Sequence, residues 1–213
     1  MTRRIHDISL AIGPGLPTWP TSSGFSLDQA MRIAAGDPAN VTDLRMDVHT
    51  GTHLEAPLHF LPDGAPLDSL PLERFVGDAL VVEFQGERVT AADLDAAGIP
   101  AGTRRLLVKT ANSARWAKGW GPFDPVYVAL TQDAARWVVE RGFALIGIDH
   151  LSVQQYEDDG ETHRILMRGD VTILEGLNLA GVKPGTYTLV AAPIRLVGAE
   201  AAPARAILLD QAP

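Results

Sequence analysis

Apolar and polar residues alternate most clearly from residue 42, where Leu44, Met46 and Val48 share one face and Asp43, Arg45, Asp47 and His49 the other. That period of two predicts a half-buried strand delivering His49 at its end. Residues 143–148, Phe-Ala-Leu-Ile-Gly-Ile, are apolar without a break, as in a strand covered on both faces of a parallel sheet. Further strands are expected over residues 5–10, 78–85, 105–110, 187–196 and 205–209. Helical signals occur twice. Residues 90–97 have Thr90 as N-cap and Gly98 as stop; residues 131–141, closed by Gly142, put Ala134, Trp137 and Val138 on one face. Strand, helix, strand over residues 105–148 makes a βαβ unit, so the expected architecture is α/β, one domain over residues 1–213 with a mixed sheet and flanking helices.

Between these elements the turn residues dominate. Gly13-Pro14-Gly15-Leu16-Pro17-Thr18-Trp19-Pro20 is kept non-helical by its prolines and glycines, and Trp19 either caps the core edge or forms an aromatic wall for a ligand. Residues 61–66 and 111–121 read as loops, the second carrying Asn112, Trp116 and Trp120. An asparagine there could donate to a developing oxyanion, or bond its own backbone in a turn. Asp149 and His150 close the strand that ends at Ile148; Asp149 is read as a cap for the turn that follows, and both stay outside the metal shell.

Composition narrows the function. The chain has 213 residues, 46% of them hydrophobic, enough to bury a full core. A net charge of −8 and a pI near 5.1, with no cluster of Lys and Arg, argue against a nucleic acid or an anionic membrane as partner. No apolar run has signal-peptide or membrane-span length, and the default location is the cytoplasm. With no cysteine, disulfides and thiol nucleophiles are excluded. No serine has glycine at both −2 and +2, and phosphate- or dinucleotide-binding glycine motifs are missing.

The chemistry concentrates in residues 47–60, Asp-Val-His-Thr-Gly-Thr-His-Leu-Glu-Ala-Pro-Leu-His-Phe, which hold His49, His53, Glu55 and His59. The chain has six histidines in all, so three in one short stretch is a concentration. A helix would place Glu55 away from the His49/His53 pair, and a straight strand would spread the four over roughly 34 Å. A chain bent at Gly51 and near Pro57 could gather them at one point. Imidazole and carboxylate without thiolate suit zinc or a similar divalent ion. Glu175 follows the apolar run Val171 to Leu174 and would be costly if unpaired; a metal, or an arginine such as Arg195 or Arg205, would resolve the cost.

The segment resembles the H-x-G-T-H-x-D-A-P-x-H motif of the cyclase family of metal-dependent hydrolases, whose members include bacterial kynurenine formamidase and isatin hydrolase. Glu55 stands where the formamidases have Asp. The resemblance implies the family's swivelling β/β/α-like fold and a second histidine and glutamate twelve residues apart, the spacing of His163 and Glu175. On that reading His49, His53, Glu55, His163 and Glu175 hold one to two zinc or manganese ions, with Trp19 near the substrate. The implied activity is hydrolysis of a small amide, formamide or lactam by metal-activated water, with His59 as proton shuttle. A homo-oligomer, dimer or tetramer, is implied too. Two alternatives remain: metal-assisted cyclisation, dehydration or lactone hydrolysis on the same scaffold, or a non-catalytic binding protein that a metal stabilises.

Overall fold

The computed structural model describes residues 3–119 and 121–211. Its strands are β1 (Ile5–Asp7), β2 (Phe25–Met31), β3 (Val41–Met46), β4 (His53–Glu55), β5 (Val76–Glu83), β6 (Arg105–Lys109), β7 (Leu145–Ile148), β8 (Thr172–Glu175), β9 (Gly185–Val190), β10 (Ala201–Pro203) and β11 (Ile207–Asp210). The helices are α1 (Ala91–Ala96), α2 (Ser113–Ala117), α3 (Gln132–Glu140) and α4 (Glu161–Arg168). Nine strands make one mixed sheet in the order β1-β11-β9-β5-β6-β7-β8-β4-β10. The middle four, β5 to β8, run parallel, and helices connect each to the next. The outer strands pair antiparallel.

The unbroken apolar runs follow from burial on both faces of this sheet. Leu106, Val108, Ile146, Ile148 and Ile173 pack with Leu94 of α1, Trp137 and Val138 of α3, and Leu166 of α4. Their neighbours Leu107, Leu145 and Leu174 turn the other way, into a second core with Leu54, Phe75, Leu189 and Leu208. Thr90 caps α1 with a reciprocal bond pair to Asp93, and Gly98 and Gly142 both have the positive φ expected of helix stops.

Several expectations need correction. The alternating strand exists as β3, but it stops at Met46 and leaves His49 in the turn beyond; it pairs only with β2 in a separate two-stranded ribbon, and Leu44 on it is 55% exposed. Alternation specifies two faces without specifying that anything covers the apolar one. Residues 111–121 are not all loop, because α2 occupies part of them; Trp120 lies outside the described residues. Asp149 caps backward rather than forward. Its carboxylate accepts from the backbone N–H and hydroxyl of both Thr110 and Ser113, tying the end of β7 to the start of α2. Asn112 bonds neither an open pocket nor its own turn, but the backbone of Val128 in both directions. The first strand stops at Asp7, and the late one stops at Val190 rather than running to residue 196.

Candidate metal centre

The sharp bend at Gly51 begins the site. Gly51 has φ +71°, and Gly176, with φ +69°, sits so close behind it that a Cβ on Gly176 would collide with the Gly51 carbonyl. Thr52 fastens the two loops: its hydroxyl donates to the Gly176 carbonyl (2.5 Å) and accepts from the Leu10 N–H (2.8 Å). Beyond the bend the chain enters β4, which pairs antiparallel with β8 so that His53 stands opposite Glu175. Residues opposite each other and two apart project from one face, so His53, Glu55 and Glu175 share a side of the sheet. Pro57 then starts a 3-10 turn, Pro57–His59, that carries His59 back over Glu55. His163 comes from α4, the helix preceding β8.

Glu55 is the hub. One of its oxygens accepts from His49 Nδ1 at 2.9 Å and lies 3.3 Å from His53 Nε2 and 3.6 Å from His59 Nε2; the other is 3.3 Å from His163 Nε2. Glu175 lies 3.2 Å from His163 Nε2 and 3.4 Å from His53 Nε2, and accepts from the Val153 N–H at 2.6 Å. Neither arginine alternative neutralises Glu175, because its partners are imidazoles and Arg205 instead pairs with Asp7. The structure thus brings His49, His53, Glu55, His59, His163 and Glu175 together.

Electrostatics follow from placing two carboxylates in a dry site. Burial raises the Glu55 pKa, but His163, His49 and His53 outweigh it and hold the carboxyl well below the usual range. Glu175 is likewise lowered, as bonds from His163 and His53 overcome burial and the neighbouring Glu55. Burial alone would lower His53 and His163, yet the two carboxylates push them up to about 10 and about 9. His59, nearer the surface, is held below 6.5 by burial that Glu55 only partly offsets.

The donor set fits a divalent cation. His49 Nε2 and Glu55 Oε2 are buried without a hydrogen-bond partner, and such atoms call for a ligand. Two groups converge closely enough to share an ion, His49 with Glu55 and His59, and His53 with Glu55 and Glu175. Glu55 belongs to both. His59, expected outside the metal shell, is therefore as close to Glu55 as a ligand would be. The outer bonds orient the rings: His53 Nδ1 reaches the Gly51 carbonyl at 3.0 Å, and His163 Nδ1 reaches Gln154 Oε1 at 2.6 Å.

The cluster forms the floor of a cavity of about 530 Å³ whose lining includes Trp19, Phe60, Leu151 and Gln154. Phe60 stacks on His163 at 4.5 Å, while Trp19 packs edge-on against Phe123 at 5.2 Å and beside Tyr156 at 5.5 Å. Trp19 thus packs among aromatics and also lines the cavity. His150 takes no part in the cluster. It stacks on Tyr127 at 3.8 Å, and burial lowers its pKa to about 3. Sequence reasoning missed Gln154 and the helix carrying His163. Asp158, which accepts from the Glu161 N–H and the Thr162 hydroxyl just ahead of that helix, is a helix-start type of residue that could have revealed it, whereas Gln154 left no signal.

Comparison with known proteins places the chain in a family. The Cyclase family model matches residues 6–155. Cyclase-like protein 1 of Arabidopsis thaliana is 38% identical over 97% of this chain and 85% of its own. Kynurenine formamidase of Maricaulis maris (strain MCS10) is also 38% identical, over 97% of this chain and 98% of its own. Among solved structures, a potential metal-dependent hydrolase with cyclase activity superposes with a TM-score of 0.85 at 32% identity, covering both chains completely. Isatin hydrolase A from Ralstonia solanacearum shares the fold, with a TM-score of 0.83 at 22% identity over 98% of this chain and 92% of its own. With a family model matched over most of its length and relatives this similar end to end, the chain belongs to the Cyclase family.

Proposed function

We propose that this protein is a metal-dependent hydrolase acting on carbon–nitrogen bonds other than peptide bonds, and that its substrate is a small amide, formamide or lactam. The observation that carries the reading is the buried, arginine-free cluster in which Glu55 lies between four imidazoles and shares His53 and His163 with Glu175. His49, His53, Glu55, His163 and Glu175 would hold one to two divalent ions, zinc or manganese. When bound, such an ion supplies Lewis acidity, lowering the pKa of water toward ~7 and polarising a carbonyl.

The chain's own residues do the rest. His59 is 28% exposed at its side chain, lines the cavity and has a pKa below 6.5, so it is neutral at working pH and ready to take a proton from water. Having taken it, His59 can return it to the leaving nitrogen. Trp19 and Phe60 offer flat apolar surfaces to hold the group attached to that nitrogen. A metal site that only braced the fold would have no use for a titratable side chain open to a cavity, which favours an enzyme over a binding protein. No described helix is long and apolar enough to cross a membrane, and the cytoplasm is the proposed location. A homo-oligomer belongs to the same reading; the exposed Leu27 and Leu44, paired across the β2–β3 ribbon, are the surface that a second copy would cover.

Alanine variants test the division of labour. His49→Ala and His53→Ala should lose metal, whereas His59→Ala should keep it and lose about 10²- to 10⁴-fold in turnover. A His59→Ala protein that purifies without metal would make His59 a ligand and end its role as shuttle.

A further inference from the structure

Leu151 lines two cavities, the one above the metal cluster and a neighbouring cleft of about 550 Å³. No residue of the metal cluster lines the second. Its Phe123 packs edge-on against Trp19 of the first, so the two share an aromatic partition. The wall of this cleft is largely flat and apolar, with Trp116, Phe123 and prolines. It also includes His150, a histidine that the proposed reaction leaves idle.

His150 is 4% exposed, and its Nδ1 is buried with no hydrogen-bond partner among the described residues. The ring lies nearly parallel to Tyr127 at 3.8 Å and to Trp116 at 6.0 Å. Burial, helped by Arg115, keeps it neutral at working pH. A neutral imidazole has one N–H, and placing it on the buried Nδ1 would leave a donor unmet, so the proton belongs on Nε2. That leaves the ring one donor to offer a ligand. The carboxylate that lines the cleft is already engaged, because Asp124 holds Arg115 at 3.1 Å. Trp116 is engaged too: its Nε1 donates to the Asp149 carbonyl, so it presents only its face. Lys118 is exposed at the same wall, and with Arg115 it outweighs Asp124 by one positive charge. An idle buried imidazole and an excess cation both call for an anionic acceptor.

We propose that this cleft is a second ligand site, for a small aryl carboxylate whose carboxylate accepts from His150 and pairs with Lys118 while its ring lies against Trp116 and Phe123. The cleft has the size of a small-molecule pocket, and its flat walls suit a ring better than a branched chain. None of these four side chains lines the metal cavity, so the site stands whether or not the hydrolase reading does.

Calorimetric titration of the metal-loaded protein with benzoate, and with benzamide as an uncharged control of the same shape, tests the proposal. Benzoate should bind with a Kd of about 1 mM or tighter, and benzamide about tenfold more weakly. A carboxylate can also bind at metal ions, so two variants remote from the metal cluster decide where it sits. His150→Phe keeps the stacking and removes the donor; Lys118→Glu reverses the charge at an exposed position. Each should weaken benzoate binding about tenfold or more and leave the metal content of the protein unchanged. Benzoate affinity unchanged in Lys118→Glu would put the carboxylate elsewhere and overturn the proposal, and that variant alone decides should His150→Phe fail to fold. Affinity unchanged in a folded His150→Phe, equal affinities for benzoate and benzamide, or no saturable benzoate binding would overturn it as well.

Discussion

Gln154 shows how much the site owes to a residue with no chemistry of its own. Its carbonyl oxygen takes the Nδ1 proton of His163 at 2.6 Å, which leaves Nε2 as the nitrogen facing Glu55 and Glu175. Gln154 is held in turn: its side-chain amide donates to the Asp158 carbonyl, and its own carbonyl accepts from the Tyr127 hydroxyl. Removing the acceptor should release the ring into both tautomers and several orientations. Gln154→Leu is expected to weaken metal binding about 10- to 100-fold by calorimetric titration, while Gln154→Glu keeps most of it. Unchanged affinity in the leucine variant would mean that packing against Phe60 alone orients His163. None of this was legible in the sequence, because Gln154 sits in an irregular segment nine residues before its partner. The histidines and Glu55 were legible, since their residue types and the short spacing between them restrict the chemistry to very few choices.

Between elements, the decisive fit is between the turn before β4 and the turn after β8. The bends at Gly51 and Pro57 could be read from the sequence, because glycine and proline act on the backbone locally. That His53–Glu55 is a strand lying against β8 could not, since three residues carry no period and the pairing is fixed by chain more than a hundred residues away. The close approach of Gly51 and Gly176 locks that register. Gly176→Ala would combine an unfavourable positive φ with a backbone collision, and should cost about 2–4 kcal/mol. Because Glu175 precedes it directly, the variant should lose metal affinity along with stability. Gly181→Ala, at a position with open space around it, serves as the control. Chemical denaturation of the two variants side by side checks the difference, and equal midpoints would contradict the account.

Across the whole molecule, the middle of the parallel core was readable because residues buried on both faces of the sheet form unbroken apolar runs, as at Leu106–Val108 and Leu145–Ile148, and the two helices with clear stop glycines announced their own ends. The exposed β2–β3 ribbon was not, since a sequence shows which residues alternate and not what lies opposite them. The core also contains a group that ties stability to pH. His150 is 4% exposed, stacked on Tyr127, and has its pKa lowered to about 3 by burial. Its folded pKa is thus below the unfolded value of 6.5. The unfolded chain takes up a proton that the fold refuses, so stability is complete above pH 6.5 and falls as pH drops from there toward 3. This loss should approach about 1.4 kcal/mol per pH unit within the window. His150→Phe keeps the stacking and removes the proton, so its stability should fall less steeply than the parent's between pH 6 and 4. Parallel curves for the two proteins would contradict a neutral, buried His150.

The central claim is that Glu55, Glu175 and the surrounding imidazoles exist to hold a metal on which turnover depends. Metal content and formanilide hydrolysis measured on one preparation, before chelation, after it, and during titration with zinc or manganese, test this most directly. The account predicts one to two equivalents in the active protein, no turnover in the stripped protein, and recovery that rises with occupancy and stops at that stoichiometry. Full activity in a preparation shown to be free of metal would contradict it.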